Sequence, residues 1–153
     1  MYQVLVFLHL IGVVIFAIAH GVSIFAAFRV RRETDPRIVA AILGMSKSAV
    51  LFLYLGLVLM GVGGLGAAWQ AGLLLAPWAI ASYLVLAIVI GVMYAVATTY
   101  YIHLRELVSA DGADAPEPEV LRRALDTRRP EVLTGVGVVG MLVLLWLMVV
   151  RPG

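Results

Sequence analysis

The sequence contains no cysteine and few charged residues, and each shortage excludes a class of protein. Without cysteine there are no disulfides, thiolate metal sites or cysteine nucleophiles. Charged residues make up 13% of the chain and hydrophobic residues 63%, whereas a soluble domain contains about 25% and about 45–50%. The composition therefore indicates an integral membrane protein in contact with the lipid bilayer. In such a protein a pI near 9.2 reflects membrane topology and not nucleic-acid binding.

Common catalytic and nucleotide-binding motifs are also missing. The acidic residues lie in loops, so no Ser-His-Asp arrangement is visible, and there is no HExxH zinc spacing. Two strings match G-x-G-x-x-G, namely Gly61, Gly63 and Gly66, and Gly135, Gly137 and Gly140. A dinucleotide site needs this string at a strand-to-helix turn, whereas both copies lie in apolar segments. We interpret these glycines as positions where membrane helices approach closely.

Four apolar segments are long enough to cross a bilayer, because a spanning helix needs about 20 apolar residues. We predict an all-α fold, a four-transmembrane-helix bundle that forms one membrane domain over residues 1–153. The predicted helices are residues 4–28, 38–69, 78–104 and 131–150. Asp35-Pro36 predicts the cap and first turn of the second helix. The first segment has no positive side chain before its apolar run, which is longer than that of a signal peptide, so we expect a retained helix.

Positive charge is concentrated in the first and third loops. These regions contain Arg29, Arg31, Arg32, Arg37 and Lys47, and Arg105, Arg122, Arg123, Arg128 and Arg129. The second loop, residues 70–77, contains none. The positive-inside rule therefore predicts a multi-pass protein of the cell membrane with loops one and three in the cytoplasm. The N- and C-termini are then both non-cytoplasmic.

The third loop, residues 105–130, is predicted to be flexible and cytoplasmic. Residues 111–118 are acidic and contain two prolines, a composition typical of flexible segments. Residues 120–129 are compatible with one or two helical turns on the inner leaflet, with arginines near anionic headgroups.

The first helix contains two histidines, His9 and His20. Ionisable groups inside a bilayer usually face the bundle interior, so both are candidate site residues. His9 and His20 are eleven residues apart, which places them within about 20° of each other and ~16 Å apart along the axis. Imidazole is the usual proximal haem ligand. Both residues are therefore candidate metal ligands, though only as ligands of haem iron. A structural role inside the bundle is the alternative for each.

A bis-histidine haem would need His103, the remaining histidine. On residue counts His103 lies roughly 10 Å deeper toward the cytoplasm than His20. Tyr83, Tyr94 and Tyr101 share one face of the third helix, and His103 projects from nearly the opposite side. If the tyrosines face inward, His103 faces lipid headgroups, and the sequence favours a haem with one histidine ligand.

On the second helix, Lys47, Tyr54 and Gly61 recur every seven residues, which predicts a second stripe facing inward. Lys47 and Tyr54 are therefore further candidates for cofactor binding. One interpretation has Lys47 extend to the inner interface. The other pairs its ammonium with an anionic group, such as a haem propionate or a lipid phosphate.

Short motifs at both ends resemble a known family. Phe7-Leu8-His9-Leu10-Ile11-Gly12 and Leu145-Trp146-Leu147-Met148-Val149-Val150-Arg151-Pro152 are similar to the first and last segments of a family of uncharacterised predicted integral membrane proteins. These are four-helix proteins within the copper-resistance protein D-like group. More distantly, Leu8-His9 resembles the first helix of haem-associated protoporphyrinogen oxidases of the HemJ type. That resemblance implies a haem-ligand role for His9, but the lysine those enzymes carry on the third helix is absent here.

Three functions follow from these patterns. The leading hypothesis is a small membrane protein that binds haem or a similar redox cofactor through the first-helix histidines, as a component of an oxidoreductase. The second is a non-catalytic accessory or structural subunit, within a homo-oligomer or a larger membrane complex. The third is a permease for copper or a small solute. The sequence leaves open whether the protein is an enzyme.

Overall fold

The computed structural model describes residues 1–109 and 117–152. Its helices are α1 (Tyr2–Val30), α2 (Pro36–Gln70), α3 (Pro77–Ser109), α4 (Pro118–Leu125) and α5 (Arg129–Val150). Four segments, which include α1, α2, α3 and α5, are long and apolar enough to cross a membrane. This confirms the predicted all-helical architecture with four spans.

The helix ends follow local chemistry closely. The Asp35 carboxylate accepts a hydrogen bond from the backbone N–H of Arg37 at 2.8 Å, and Pro36 occupies the first turn of α2. The first backbone N–H groups of a helix have no acceptor within it, and the Asp35 side chain supplies one. The predicted cap at the start of α2 is therefore confirmed. At the other end of the chain, α5 stops at Arg151, whose left-handed conformation has φ 49°.

The prediction that residues 105–130 form one flexible loop is wrong in part. Helix α3 continues to Ser109, and α4 forms within the same stretch. Most of the segment expected to be flexible, residues 111–116, lies outside the described residues. Its last residue, Pro118, begins α4. The extra helix has a physical reason, since Leu104 on α3 and Leu121 on α4 are both 1% exposed and pack in one cluster.

Helices α1 and α2 lie backbone against backbone. A Cβ built on Gly63 would lie 2.5 Å from the backbone nitrogen of His9, and one on Gly56 would lie 2.6 Å from that of Phe16. Gly12 is equally close to the backbone of Met60. Larger side chains at these positions would hold the two helices apart. Small residues therefore set the separation of this pair, as in other membrane helix pairs.

Helices α3 and α5 form a second pair. Gly140 of α5 lies against Val89, and a Cβ there would be 2.5 Å from the valine Cγ2. Both ends of α5 are fixed to α3 by cation–π contacts: Arg151 lies 5.5 Å from the Trp78 ring, and Arg129 lies 5.5 Å from the Tyr100 ring. Contacts between the α1–α2 pair and the α3–α5 pair are fewer than the contacts within each pair. The molecule is therefore built from two closely packed helix pairs.

A compact apolar cluster, the basic-end core, joins the helix ends that carry the arginines. Its buried members are Val30, Val39, Leu43, Leu104, Leu121 and Leu125. On α4, Leu121 and Leu125 enter this core while Arg122 and Arg123 pair with Glu119 at 3.1 and 3.2 Å on the exposed side. The helical turns predicted for residues 120–129 therefore form at 118–125, and their apolar face packs on protein instead of the inner leaflet.

The glycines of α2 provide a matched test of the backbone contact. Gly63→Ala places a methyl group 2.5 Å from the His9 backbone, whereas Gly61→Ala meets nothing within 4 Å. We expect Gly63→Ala to destabilise the protein by about 1–3 kcal/mol, the usual cost of overpacking, and Gly61→Ala to leave stability unchanged. Thermal unfolding in detergent measures both, and equal melting temperatures for the two variants would contradict the packing.

Candidate functional site

The His9 residue packs against glycines of α2. Its Nδ1 lies 2.8 Å from the backbone oxygen of Met60. Gly64 makes room for the ring, because a Cβ there would lie 2.7 Å from Nδ1. A carbonyl oxygen only accepts hydrogen bonds, so Nδ1 must be the donor. In the neutral imidazole, Nε2 then carries the lone pair and is the nitrogen able to bind a metal.

Nε2 of His9 reaches the surface of the α1–α2 pair. His9 as a whole is half-buried. Within the part of the chain that the structure describes, its side chain makes one hydrogen bond, through Nδ1, and Nε2 is not among the buried atoms without a partner. A backbone carbonyl on one ring nitrogen and an accessible lone pair on the other is the arrangement typical of metal-binding histidines.

His20 lies on the same face of α1 but in a different environment. It is 4% exposed, and its ring stacks on Phe16 with centroids 5.9 Å apart. Nε2 points at Gly137 of α5, where even a methyl group would collide with it. This nitrogen is buried and has no hydrogen-bond partner among the described residues. The face shared by the two histidines points into protein as expected, but one ring meets α2 and the other meets α5.

The predicted inward stripe of α2 is wrong. Lys47 is exposed, and Tyr54 is 55% exposed. A Cβ on Gly61 would have nothing within 4 Å. The buried face of α2 contains Gly56, Met60 and Gly63, which contact α1. Lys47 and Tyr54 therefore lie on the opposite side from both histidines, and the structure does not bring the four candidate residues together.

The tyrosine stripe of α3 does not face inward as a whole. Tyr94 is 66% exposed and Tyr83 is 36% exposed, while Tyr101 is half-buried beside Tyr100 in the basic-end core. His103 is exposed. His103, Tyr83 and Tyr94 are therefore all exposed on α3. The angle between His103 and the tyrosines consequently does not show which face of this helix points inward.

The site depends on residues that the sequence analysis did not assign to it. These are Met60, Gly64 and Gly137. Met60 supplies a carbonyl oxygen, and the two glycines leave room for the imidazole rings of His9 and His20. A signal was present, since Gly137 belongs to a glycine string interpreted as a close helix contact. That interpretation holds for Gly63, Gly66, Gly137 and Gly140, but a Cβ on Gly61 or Gly135 would meet nothing within 4 Å. The pattern does not distinguish the glycines that contact a helix from the others.

Comparison with known proteins identifies the family of this chain. The family described as "Predicted integral membrane protein (DUF2269)" matches residues 3–152. The chain belongs to this family. The match confirms the resemblance to a family of predicted integral membrane proteins and covers nearly the whole chain. It does not test the link to the copper-resistance protein D-like group or to the HemJ type. Neither a curated protein nor a solved structure matches the chain.

The hydrogen bond to Met60 fixes the tautomer of His9. We expect ¹⁵N NMR of histidine-labelled protein in lipid bilayers to show His9 protonated on Nδ1, because the carbonyl oxygen 2.8 Å away requires a donor there. The exposed His103, which has no such carbonyl partner among the described residues, serves as a reference signal. Protonation of His9 on Nε2 alone would contradict the assignment.

Proposed function

We propose that this family member binds haem, or a similar hydrophobic redox cofactor, through Nε2 of His9 and acts as a component of an oxidoreductase. The observation that supports this most directly is the 2.8 Å hydrogen bond between His9 Nδ1 and the Met60 carbonyl. This bond holds the ring in one orientation and leaves Nε2 as the donor atom for iron. The distant resemblance of Leu8-His9 to protoporphyrinogen oxidases of the HemJ type agrees with the same ligand.

The residues around His9 fit such a group. Gly64 leaves the ring edge uncrowded, and the neighbouring Gly63 brings the His9 backbone against α2. Leu5, which contacts Gly66, continues an apolar surface suited to a hydrophobic macrocycle. When bound, haem supplies one-electron chemistry that protein side chains lack. The protein's part is to hold the imidazole in place and to keep water from the apolar segment around it.

The remaining candidates have other roles in this proposal. Gly137 occupies the approach to Nε2 of His20, so His20 serves as an interior contact between α1 and α5 and not as the ligand. Lys47 is exposed on α2, at the level where its ammonium extends to lipid phosphates. Tyr54 is exposed on the same helix and is assigned no part in the site.

The proposal includes an orientation in the cell membrane. We place the basic-end core in the cytoplasm, together with loops one and three, because these carry nearly all the arginines. Arg31 and Glu131 form an ion pair there between α1 and α5. Both termini and the loop after Gln70 are then outside, so His9 lies in the outer half of the bilayer.

The absence of cysteine makes this orientation simple to test. We expect Gln70→Cys to react with a membrane-impermeant maleimide in intact cells, and Thr34→Cys to react only after the membrane is permeabilised. Both positions are exposed and lie at the ends of α2, so each variant is a matched control for the other. Labelling of Thr34→Cys in intact cells would reverse the topology.

The cofactor proposal is tested by absorption spectroscopy of protein purified from haem-replete cells. We expect a Soret band that is lost in His9→Ala and retained in His103→Ala. Gly64→Val keeps the imidazole but crowds Nδ1. It should weaken haem binding by about 10–100-fold, as the loss of an orienting partner does.

Two results would contradict the proposal. One is a colourless protein after haem-replete expression, and the other is a Soret band that persists unchanged in His9→Ala. His20→Leu separates the two first-helix histidines, since the band should survive this change. Loss of the band in His20→Leu with retention in His9→Ala would move the ligand to the buried histidine.

An accessory subunit is the second candidate, and the outer face of α3 favours it. Tyr94 is 66% exposed, and a Cβ on nearby Gly91 would have nothing within 4 Å. A phenol hydroxyl in the apolar part of a membrane needs a hydrogen-bond partner, and small residues let another helix approach. A stoichiometric protein that copurifies with a colourless preparation would favour this function over the cofactor proposal.

A further inference from the structure

The connection between α2 and α3 has an unusual composition for a loop between helices. Residues 71–76, here named the uncharged turn, read Ala-Gly-Leu-Leu-Leu-Ala, and Leu75 is 83% exposed. No charged residue occurs between Lys47 and Arg105. Residues 31–35, which connect α1 and α2, read Arg-Arg-Glu-Thr-Asp instead. Loops in water are usually polar, and hydrated leucine side chains cost free energy. The composition of this turn therefore suits a medium other than bulk water.

The backbone of the uncharged turn satisfies many of its own polar groups. Gly72 has φ 69°, a left-handed conformation that glycine adopts without strain, and it reverses the chain after α2. Four N–H groups donate to carbonyl oxygens of the turn or of the end of α2. These bonds, at 2.8–3.1 Å, run from Ala71 to Ala67, from Gly72 to Trp69, from Leu73 to Ala68 and from Ala76 to Leu73. A backbone that is hydrogen-bonded in this way can enter a layer that contains little water.

The tryptophans show at which level of the membrane the turn lies. All three tryptophans of the chain are near this end of the helices, and Trp69 is 76% exposed. Trp78 contacts Arg151, whose guanidinium carbon lies 5.5 Å from the ring centre. Tryptophan and arginine at a helix end mark the membrane interface. Leu75 lies three residues before Trp78, or ~4.5 Å at the helical rise. This distance is within a headgroup layer of about 5–7 Å.

We propose that the uncharged turn is embedded in the interfacial layer of the bilayer, where Leu75 contacts lipid and anchors the α2–α3 hairpin. Its occupant is lipid because the turn continues the apolar surface of α2, on which Leu65 and Trp69 are also exposed. Gln70, the polar residue before the turn, stays at the boundary with water. This inference needs no cofactor at His9, and it holds whichever side of the membrane this end of the molecule faces.

Site-directed spin labelling tests the proposal directly, since the chain has no cysteine of its own. Leu75→Cys carries the label in the turn. Leu65→Cys, at an exposed position within α2, is the control for lipid contact, and Thr34→Cys, exposed in the connection between α1 and α2, is the control for water. The labelled proteins are placed in nanodiscs of phosphatidylcholine, which leave both membrane faces open. Power-saturation measurements then compare collisions with oxygen, which concentrates in lipid, and with a water-soluble nickel chelate.

We expect the label at Leu75 to be relaxed by oxygen and to collide with the nickel chelate several-fold less often than the label at Thr34. Its ratio of oxygen to nickel accessibility should approach that of Leu65. Nickel accessibility equal to that of Thr34 would place the turn in water and overturn the proposal. Low accessibility to both reagents would also overturn it, because the turn would then be covered by protein, either a second copy of this chain or another subunit.

Discussion

The backbone contact between α1 and α2 is the interaction on which the rest of the molecule depends. In lipid no hydrophobic force drives two apolar helices together, so they associate where small residues allow many close contacts. Gly12, Gly56 and Gly63 allow this over about half the length of α1. The same contact presses His9 against α2 and brings its ring within reach of the Met60 carbonyl. The candidate site is thus a product of the packing and not an addition to it.

The second constraint is that polar groups within the membrane must find partners inside the protein. Ser23 and Ser82 satisfy this locally, since their hydroxyls donate to carbonyls one turn earlier on their own helices. The histidine rings reach beyond their own helix instead: Nδ1 of His9 donates to the Met60 carbonyl of α2, and the His20 ring lies against Gly137 of α5.

The spans and their approximate ends were predictable because length and hydropathy alone decide them, and the Asp35 cap follows from its local chemistry. The orientation of each helix about its axis was not predictable to the same extent. These helices are apolar on nearly every side, and lipid is as apolar as the protein interior, so no periodicity marks the buried face. Seven-residue spacing therefore misplaced Lys47 and Tyr54. Helix α4, which carries charged residues, does show an amphipathic division, because Leu121 is buried and Arg122 is exposed.

His9 and His20 show how residues that look equivalent in sequence acquire different chemistry. Both are on one face of α1, and both meet a glycine of another helix. The glycine beside His9 is Gly64, which clears the Nδ1 edge and exposes the Met60 carbonyl, so the opposite nitrogen stays accessible. The glycine beside His20 is Gly137, which faces Nε2 directly and encloses it. Which edge of the ring the glycine covers decides whether the second imidazole nitrogen stays accessible or is enclosed between helices. That distinction depends on the rotation of α2 and α5 about their axes, which the sequence of α1 does not encode.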